Sequence, residues 1–208
     1  MKEEIRILLV EDQYFARLAL HSVIDAREDM RIVAEAASGD EALNLYRTHR
    51  PVLVLMDLRL PGLSGFDAIR AIRHENPEAR ILVLSNYEGV ADVERALELG
   101  ALGYLTEDAD ADLLIEAIGR LHRGHRYLPP LLARRIEDER GLDPLTARET
   151  QIVSLIAEGL SNKEIGDRLG IAEKTVRVHM THILDKMGAT DRTQLLILAL
   201  QRGMIHLD

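Results

Sequence analysis

The fold of this chain is decided by the run Val52-Leu53-Val54-Leu55-Met56, which is followed at once by Asp57. Five consecutive apolar residues are typical of a strand that is buried on both faces of a parallel sheet. A residue directly after such a strand lies at the carboxyl edge of the sheet, where α/β proteins hold their ligands. We therefore predict a central parallel strand and take Asp57 as the first candidate site residue.

Strand patterns and helix patterns alternate on both sides of this run. The predicted strands cover residues 5–10, 31–36, 52–56, 81–84 and 103–105, and the predicted helices lie near 16–23, 41–48, 66–74, 90–99 and 110–121. Successive βα units imply a parallel sheet with helices on both faces. The fold class predicted for residues 1–121 is therefore α/β, with a doubly wound sheet of five parallel strands.

Composition excludes several classes of protein. The 208 residues include no cysteine, which excludes a disulfide scaffold, a cysteine zinc site and a thiol nucleophile. No apolar run approaches the roughly 18 residues that a membrane helix needs. The first residues, Met1-Lys2-Glu3-Glu4, lack the basic and apolar regions of a signal peptide. We predict a soluble, cytoplasmic protein without a membrane partner.

The net charge of −9 is unevenly spread along the chain. Residues 1–120 carry a balance of −10, residues 121–143 carry +1, and residues 144–208 are neutral. The acidity therefore belongs to the first part of the chain. An acidic total does not exclude nucleic-acid binding by the last part, which needs its own judgement.

Residues 122–143 break the alternating pattern and are predicted to be a linker. Pro129-Pro130 is expected to stop regular structure, and charges of both signs alternate from Ala133 to Arg140. A short solvated helix could lie within this segment.

From Leu145 onward every segment has a helical pattern. Thr146 with Glu149, and Ser161 with Glu164, have the spacing of capping boxes at two helix starts. A third helix is predicted near 173–187 and a fourth near 191–202. Residues 144–208 are thus predicted to form an all-α, four-helix domain that contains a helix-turn-helix.

Polar residues follow several of the predicted strands. Glu11 and Asp12 follow the first, Asp57 the third, Ser85 the fourth, and Thr106-Glu107 the fifth. Carboxylates brought together at one edge repel each other unless a cation intervenes, and a site of hard oxygen ligands favours Mg²⁺. A carboxylate supported by a metal can act as a nucleophile toward phosphorus. Taken alone, these acids could equally be helix caps or solvated side chains.

Three motifs in register resemble the receiver domain of two-component response regulators. They are Val10-Glu11-Asp12-Gln13, Met56-Asp57-Leu58-Arg59-Leu60-Pro61-Gly62 and Gly100-Ala101-Leu102-Gly103-Tyr104-Leu105, and the resemblance covers residues 5–120. It implies a flavodoxin-like fold in which Asp57 accepts a phosphoryl group. The Mg²⁺ ligands that it implies are Glu11, Asp12, Asp57 and the carbonyl of Arg59. The switch residues that it implies are Ser85, which would bond the phosphoryl group, and Tyr104, whose orientation would follow it.

One position departs from the pattern of that family. The family places a lysine after the fifth strand, where it pairs with the phosphoryl group, and Glu107 stands there in this chain. Two unit charges about 4 Å apart interact by roughly 4 kcal/mol at an effective dielectric constant near 20, and reversing one charge changes this energy by up to about twice as much. We therefore expect Glu107, which we count among the switch residues, to point to solvent. If it points inward, phosphorylation should be weak or unnecessary; if it is a surface acid, Mg²⁺ could compensate for the missing lysine.

The third C-terminal helix has two distinct faces. Its apolar residues recur at intervals of four, three and four and form an inward face: Val176, Met180, Ile183 and Met187. Another face combines cations, which suit phosphates or guanine edges, with methyl groups, which suit thymine: Lys174, Arg177, Val178 and Thr181. Such a face could also be the solvated side of an amphipathic helix. Lys163, near a helix N-terminus, can add a phosphate contact.

Residues 144–202 resemble the LuxR-type DNA-binding domain. The motifs that carry the resemblance are Leu145-Thr146-Ala147-Arg148-Glu149, Gly159-Leu160-Ser161-Asn162-Lys163-Glu164-Ile165 and Lys174-Thr175-Val176-Arg177-Val178-His179. With the receiver, they imply the NarL/FixJ class of response regulator, whose third helix enters the major groove. The DNA-facing residues that this implies are Lys174, Thr175, Arg177, Val178 and Thr181.

The last helix carries six consecutive apolar residues, Leu195-Leu196-Ile197-Leu198-Ala199-Leu200. Such a run covers every side of a helix, so one side can pack inward and another needs a partner. We predict a homodimer, whose two-fold axis would match repeated DNA half-sites. Docking against the receiver or the linker is the alternative.

We interpret the chain as a DNA-binding transcriptional response regulator and not as an enzyme. A sensor histidine kinase would phosphorylate Asp57, and phosphorylation would control dimerisation and binding to double-stranded promoter DNA. An alternative, motivated by Glu107, is a regulator that binds DNA independently of phosphorylation. A third hypothesis, a phosphohydrolase of the haloacid dehalogenase type, needs an aspartate two residues after the nucleophile, and Arg59 occupies that position.

Overall fold

Within residues 4–86, 89–140 and 144–205, which the computed structural model describes, the chain forms five strands and ten helices. The strands are β1 Ile5–Val10, β2 Met30–Ala36, β3 Leu53–Met56, β4 Ile81–Ser85 and β5 Gly103–Thr106. The helices of the first part are α1 Tyr14–Asp25, α2 Gly39–His49, α3 Gly65–Glu75, α4 Val90–Glu98 and α5 Ala111–His122. The remaining helices are α6 Pro130–Arg140, α7 Ala147–Ala157, α8 Asn162–Leu169, α9 Glu173–Met187 and α10 Arg192–Gln201. None of the described helices is long and apolar enough to cross a membrane.

The described residues divide into two units. The first holds residues 4–86 and 93–130, and the second holds residues 89–92 and 131–205. Each unit has its own hydrophobic core.

The first unit is built on a five-stranded sheet of order β2-β1-β3-β4-β5, in which every neighbouring pair is parallel. This confirms the predicted fold class. All four residues of β3 are buried, as the apolar run predicted for the centre of the sheet. Val10 pairs with Met56 in the register of β1 and β3. The residues directly after these two strands are therefore neighbours at the carboxyl edge of the sheet.

Short polar side chains begin the helices that surround the sheet. The hydroxyl groups of Ser38 and Ser64 accept hydrogen bonds from backbone amides in the first turns of α2 and α3. Asp110 accepts one from the Leu113 amide at 2.8 Å and is the N-cap of α5. These bonds satisfy amide groups that the helix itself leaves without partners.

The segment predicted as a linker contains more structure than the sequence indicated. Tyr127 is buried, and its backbone bonds to Leu102 and Tyr104 at the open edge of β5. The expectation that Pro129-Pro130 ends regular structure was wrong at its second residue, because Pro130 is the first residue of α6. Proline is well suited to the first turn of a helix, where its missing N–H would have no partner anyway.

The helices of the second unit pack around a core that includes Ile152, Ile165, Val176, Ile183 and Leu195. Both predicted capping boxes are present, at the starts of α7 and α8. The turn between α8 and α9 is tight: a Cβ added at Gly166 would lie 2.7 Å from the carbonyl oxygen of Ile171. The helix-turn-helix predicted from the sequence thus depends on a glycine inside α8 as well as on the turn itself.

Candidate functional site

An acidic pocket lies where β1 and β3 end. Carboxylate oxygen atoms of Glu11, Asp12 and Asp57 lie within 4.8 Å of one another. The Asp57 amide donates to the Val10 carbonyl at 3.0 Å, and this sheet bond sets Asp57 beside the end of β1. Glu11 and Asp57 are buried, whereas Asp12 is exposed. The pocket therefore combines two desolvated carboxylates with one that solvent reaches.

The backbone around Asp57 fixes the orientation of its carboxylate. The amide of Arg59, whose carbonyl is the remaining predicted metal ligand, donates to Asp57 Oδ1 at 3.1 Å. The first residue of α3, Gly65, lies against the backbone of Asp57. A Cβ added at Gly65 would lie 2.1 Å from the Asp57 carbonyl oxygen. Asp57 Oδ2 has no hydrogen-bond partner among the described residues. One carboxylate oxygen is thus held by the backbone, and the other is left for a ligand.

Burial and mutual repulsion hold both buried carboxyl groups closer to neutrality than usual. Burial, and then the charges of Asp57 and Glu107, raise the pKa of Glu11 to about 7, although a backbone hydrogen bond from Gln13 opposes the shift. Burial and the charge of Glu107 likewise raise the pKa of Asp57 to about 6. A cation in the pocket would relieve this repulsion and favour the ionised forms.

The donor set fits a hard divalent cation. It consists of carboxylate oxygens, one of them buried and without a hydrogen-bond partner in the described chain. Mg²⁺ binds to a few carboxylates and completes its shell with water or phosphate oxygens. The described residues therefore include a cluster that could hold a metal ion, in the place that the sequence predicted.

The two predicted switch residues Ser85 and Tyr104 lie in the interior of the first unit. Both side chains are fully buried. Ser85 ends β4, next to β3, and its hydroxyl is near enough to Asp57 to lower the pKa of that carboxyl group. Tyr104 lies on β5, where Val83 is its partner in the register. Neither residue can change its position without a change in the surrounding packing.

Glu107 turns only partly toward solvent, where we expected it to point. It is partly buried, and its Oε2 accepts a hydrogen bond from Asn86 Nδ2 at 2.7 Å. Its negative charge contributes to the raised pKa of both Asp57 and Glu11. The carboxylate therefore acts on the pocket electrostatically, although it lies at the rim and not among the three clustered acids.

The second unit presents the predicted DNA-facing residues on its surface. On α9, Val176, Ile183 and Met187 are buried, as the spacing of the apolar residues predicted, and Met180 is partly buried. The residues predicted to face DNA are all exposed: Lys163, Lys174, Thr175, Arg177, Val178 and Thr181. Half of the surface of Val178 is accessible, although it is an apolar side chain. The exposed face of α9 thus combines two cations, Lys174 and Arg177, with the uncovered methyl groups of Val178.

Arg177 has a partner on its own helix. Its Nη2 donates to Glu173 Oε1 at 2.5 Å, and both side chains are largely exposed. An exposed pair of this kind contributes little to stability, because solvent screens both charges. A DNA phosphate or base edge can therefore replace Glu173 as the partner of the Arg177 guanidinium group at little cost in free energy.

The six apolar residues of α10 mostly find partners inside the second unit. Leu195 and Ala199 are buried, and the three other leucines of the run pack against the same core. Ile197 is the member of this run that stays half exposed. The second apolar side expected from the sequence is therefore much smaller than the run suggested.

Two family matches cover most of the chain. Residues 7–119 match the family described as "Response regulator receiver domain". The chain belongs to the response regulators of two-component systems. Residues 143–199 match "Bacterial regulatory proteins, luxR family", so this response regulator is of the NarL/FixJ class. The class consists of transcriptional regulators with a receiver domain and a DNA-binding domain, and this response regulator is such a transcriptional regulator.

Relatives match the response regulator along nearly its whole length. It is 32% identical to the "Nitrate/nitrite response regulator protein homolog" of Haemophilus influenzae over 98% of its own chain and 100% of that protein. It is 35% identical to the nitrate/nitrite response regulator protein NarL of Escherichia coli, over 93% of its own chain and 94% of NarL. Among solved structures, the response regulator ChrA of a heme-sensing two-component system is 33% identical, with a TM-score of 0.58 over 97% of this chain and 99% of ChrA.

Sequence reasoning missed Asn86, the hydrogen-bond donor to Glu107. A signal was present, because Asn86 directly follows Ser85 just as Glu107 follows Thr106, and Ser85 pairs with Thr106. Parallel strands that pair in this way bring the next residues together at the edge of the sheet. The close approach of Gly65 to Asp57 carried no such signal, since it depends on where α3 packs.

Proposed function

We propose that a sensor histidine kinase phosphorylates Asp57 and that phosphorylation controls dimerisation and promoter binding by this response regulator. The single observation that supports the acceptor role best is the buried Asp57 carboxylate, whose Oδ2 has no hydrogen-bond partner among the described residues and lies in an acidic cluster. The kinase, double-stranded DNA and a second copy of the chain are the proposed partners, and the cytoplasm, where promoter DNA lies, is the proposed location.

The pocket would prepare Asp57 for attack on phosphorus. Mg²⁺, held by Glu11, Asp12, Asp57 and the Arg59 carbonyl, would neutralise charge on the phosphoryl oxygens and keep Asp57 ionised. The Arg59 amide holds Asp57 Oδ1 and so leaves Oδ2 to attack. As the new O–P bond forms, the P–N bond to the donor imidazole breaks, and the imidazole nitrogen leaves with the bonding pair and is protonated.

The phosphoryl group would then act on the interior of the receiver. It adds a charge of about −1.5 to −2 at the end of β3. Ser85 would donate its hydroxyl proton to a phosphoryl oxygen, and Tyr104 would change orientation as the space around Ser85 changes. We propose Glu107 as the third switch residue, which resists the added charge. The altered receiver surface would release or dimerise the DNA-binding domain.

DNA binding is assigned to the exposed face of α9. Lys174 and Arg177 of α9, together with Lys163 of α8, would contact phosphates or guanine, and Thr175, Val178 and Thr181 would contact the backbone or thymine methyl groups. The exposure of all six side chains supports this assignment. For the domains, we propose a receiver at residues 1–121, a linker at 122–143 and a LuxR-type domain at 144–208.

The test is the intact mass of the protein after incubation with Mg²⁺ and acetyl phosphate. We expect one phosphoryl adduct on the wild-type protein and none on Asp57→Asn. The adduct should be accompanied by dimerisation and by tighter DNA binding. An adduct that persists in Asp57→Asn would reject Asp57 as the acceptor.

A second candidate function is DNA binding without phosphorylation. The observation that favours it is the negative charge of Glu107, which reaches Asp57 and opposes the arrival of a phosphoryl group. In that case DNA affinity would be the same with and without acetyl phosphate, and the same again in Asp57→Asn. A change in either comparison would favour the phosphorylated mechanism.

A further inference from the structure

The carboxylate of Glu107 is held at the end of β5. Ser85 of β4 pairs with Thr106 of β5, so Asn86 and Glu107 leave the sheet side by side. The 2.7 Å hydrogen bond from Asn86 Nδ2 engages Glu107 Oε2. Glu107 is also partly shielded from solvent. It is therefore a positioned acid on the β4 side of the pocket.

Two buried oxygen atoms, one of them on the clustered acid Asp57, lie at the same edge of the sheet as Glu107. Asp57 Oδ2 and Ser85 Oγ are both inaccessible, and neither has a hydrogen-bond partner with good geometry among the described residues. Ser85 is completely buried, and its hydroxyl lies close to the Asp57 carboxylate. Buried oxygens without partners are costly and are normally satisfied by a donor or a cation.

These oxygens come from the ends of three neighbouring strands. In the order β3-β4-β5, Asp57, Ser85 and Glu107 follow or end successive strands at the same edge of the sheet. The charge of Glu107 is also felt at Asp57 and at Glu11, which places it within electrostatic reach of both. Two carboxylates and a hydroxyl are ligands that suit a hard divalent cation.

We propose that Glu107 is a ligand arm for a divalent cation on the Ser85 side of Asp57. In the unphosphorylated protein, Asp57 Oδ2 and Ser85 Oγ supply the buried ligands, and Glu107 supplies the arm from β5. The cation joins the end of β5 to Asp57, so that a metal ion takes over the link for which the family uses a lysine. This inference rests on the proposed function only in taking the pocket around Asp57 as the functional site.

Mn²⁺ titration of the full-length protein without a phosphodonor tests the inference, with free Mn²⁺ counted by electron paramagnetic resonance. Glu107→Gln keeps the shape of the side chain and removes its charge, and we expect it to weaken Mn²⁺ binding by about tenfold or to abolish one bound ion. Asp108→Asn is the matched control, because it removes one charge from the exposed neighbouring residue. We expect its effect to stay within about twofold, as for a surface charge screened by solvent.

Ser85→Ala provides a second variant, because it removes a ligand oxygen without changing the charge of the pocket. We expect it also to weaken Mn²⁺ binding, although the cluster of Glu11, Asp12 and Asp57 remains intact. The inference is overturned if Glu107→Gln and Ser85→Ala bind Mn²⁺ with wild-type affinity and stoichiometry. It is equally overturned if Asp108→Asn loses as much affinity as Glu107→Gln.

The outcome is separate from that of the proposed phosphorylation. A protein that takes no phosphoryl group from acetyl phosphate but loses Mn²⁺ affinity in Glu107→Gln supports the cation arm and rejects the phosphorylated mechanism. A protein that is phosphorylated at Asp57 while Glu107→Gln binds Mn²⁺ normally supports the mechanism and rejects the arm.

Discussion

Replacing Asp57 by asparagine should stabilise the first unit when divalent cations are removed. Asp57 is almost completely buried, and burial together with the charge of Glu107 raises its pKa from 3.8 to about 6. Its ionised form is therefore less favourable in the folded protein than in the unfolded chain. Asparagine has the same shape and carries no charge, so it avoids this cost.

The size of the effect follows from the pKa shift. A group with a raised pKa binds its proton more tightly in the folded state, so the free energy of unfolding falls as pH rises from about 4 through about 6. A shift of about two pKa units corresponds to about 3 kcal/mol at pH 8. We expect a gain of about 2 kcal/mol from Asp57→Asn, less than the full value, because the new side-chain amide group is itself a buried polar group that costs free energy unless it finds an acceptor.

The assay is urea unfolding of the full-length protein at pH 8 in EDTA, followed by tyrosine emission. All five tyrosines lie within residues 14–127 and none in the helical C-terminal part, so the signal reports on the first unit. The gain from Asp57→Asn should disappear at pH 4, where the wild-type carboxyl group is protonated in the folded state. Mg²⁺ should also reduce the gain, because it binds to the ionised wild-type pocket and stabilises it.

Two results would refute this reasoning. One is an Asp57→Asn protein that is less stable than the wild type in EDTA at pH 8. The other is a gain that is the same at pH 4 and pH 8, since a gain of that kind cannot come from a carboxylate charge. Asp108→Asn, which changes an exposed carboxylate nearby, should alter the free energy of unfolding by less than about 0.5 kcal/mol.

Three further predictions concern other parts of the molecule. Glu107→Lys should accumulate the phosphoryl adduct with acetyl phosphate about tenfold faster at limiting Mg²⁺, where no cation offsets the charge of Glu107 and attraction replaces repulsion at the pocket. An unchanged or lower rate, measured by intact mass, would show that Glu107 does not oppose phosphorylation. Arg177→Ala should weaken DNA binding and lower the magnitude of the slope of log affinity against log salt by about 1, while Arg70→Ala on the receiver should leave both unchanged. Fluorescence anisotropy with a duplex selected from a random library measures both quantities. Equal losses in the two variants would argue against α9 as the helix that reads DNA. Lys186→Met should destabilise the second unit by about 2 kcal/mol or more, because Lys186 Nζ lies 2.9 Å from the buried Glu149 carboxylate. Hydrogen bonds from Thr146 and Lys186 lower the pKa of Glu149 to about 2 despite its burial. The stability contributed by Glu149 is present above about pH 4.5 and is lost as pH falls toward 2, so the protection of α7 amides against hydrogen exchange, relative to their intrinsic rates at each pH, should fall over that range in the wild type and less in the variant.

Much of the architecture could be predicted because it depends on local patterns. The apolar run of β3 requires a site with both faces covered, and the capping residues at Asp110, Thr146 and Ser161 satisfy helix amides within three residues of themselves. These are short-range effects, so the identity and order of the residues is sufficient to indicate them. The start of α6 at Pro130 was not predicted, because proline can either end or start a helix, and the choice depends on how the residues after it pack.

Some features of the candidate site could likewise be predicted from the sequence, and others could not. That Glu11, Asp12 and Asp57 would meet could be inferred from parallel strands ending at one edge. How far Glu107 would turn could not be inferred, because its direction depends on a hydrogen bond from Asn86 across two strands. The apolar run of α10 was similarly ambiguous: its sequence shows that it is hydrophobic on every side, but only the packing of the neighbouring helices shows that Ile197 alone in the run remains half exposed.

The order of strands and helices, the acidic edge and the cationic face of α9 all arise from residues that are close in sequence or repeat with a regular period. Burial, and everything that burial controls, arises from residues that are distant in sequence. Desolvation and the charge of Glu107 raise the pKa of Asp57, and the register of β4 and β5 sets Asn86 beside Glu107. The local sequence therefore indicates which groups can act. The folded chain determines their ionisation, the distances between them and whether each has a hydrogen-bond partner.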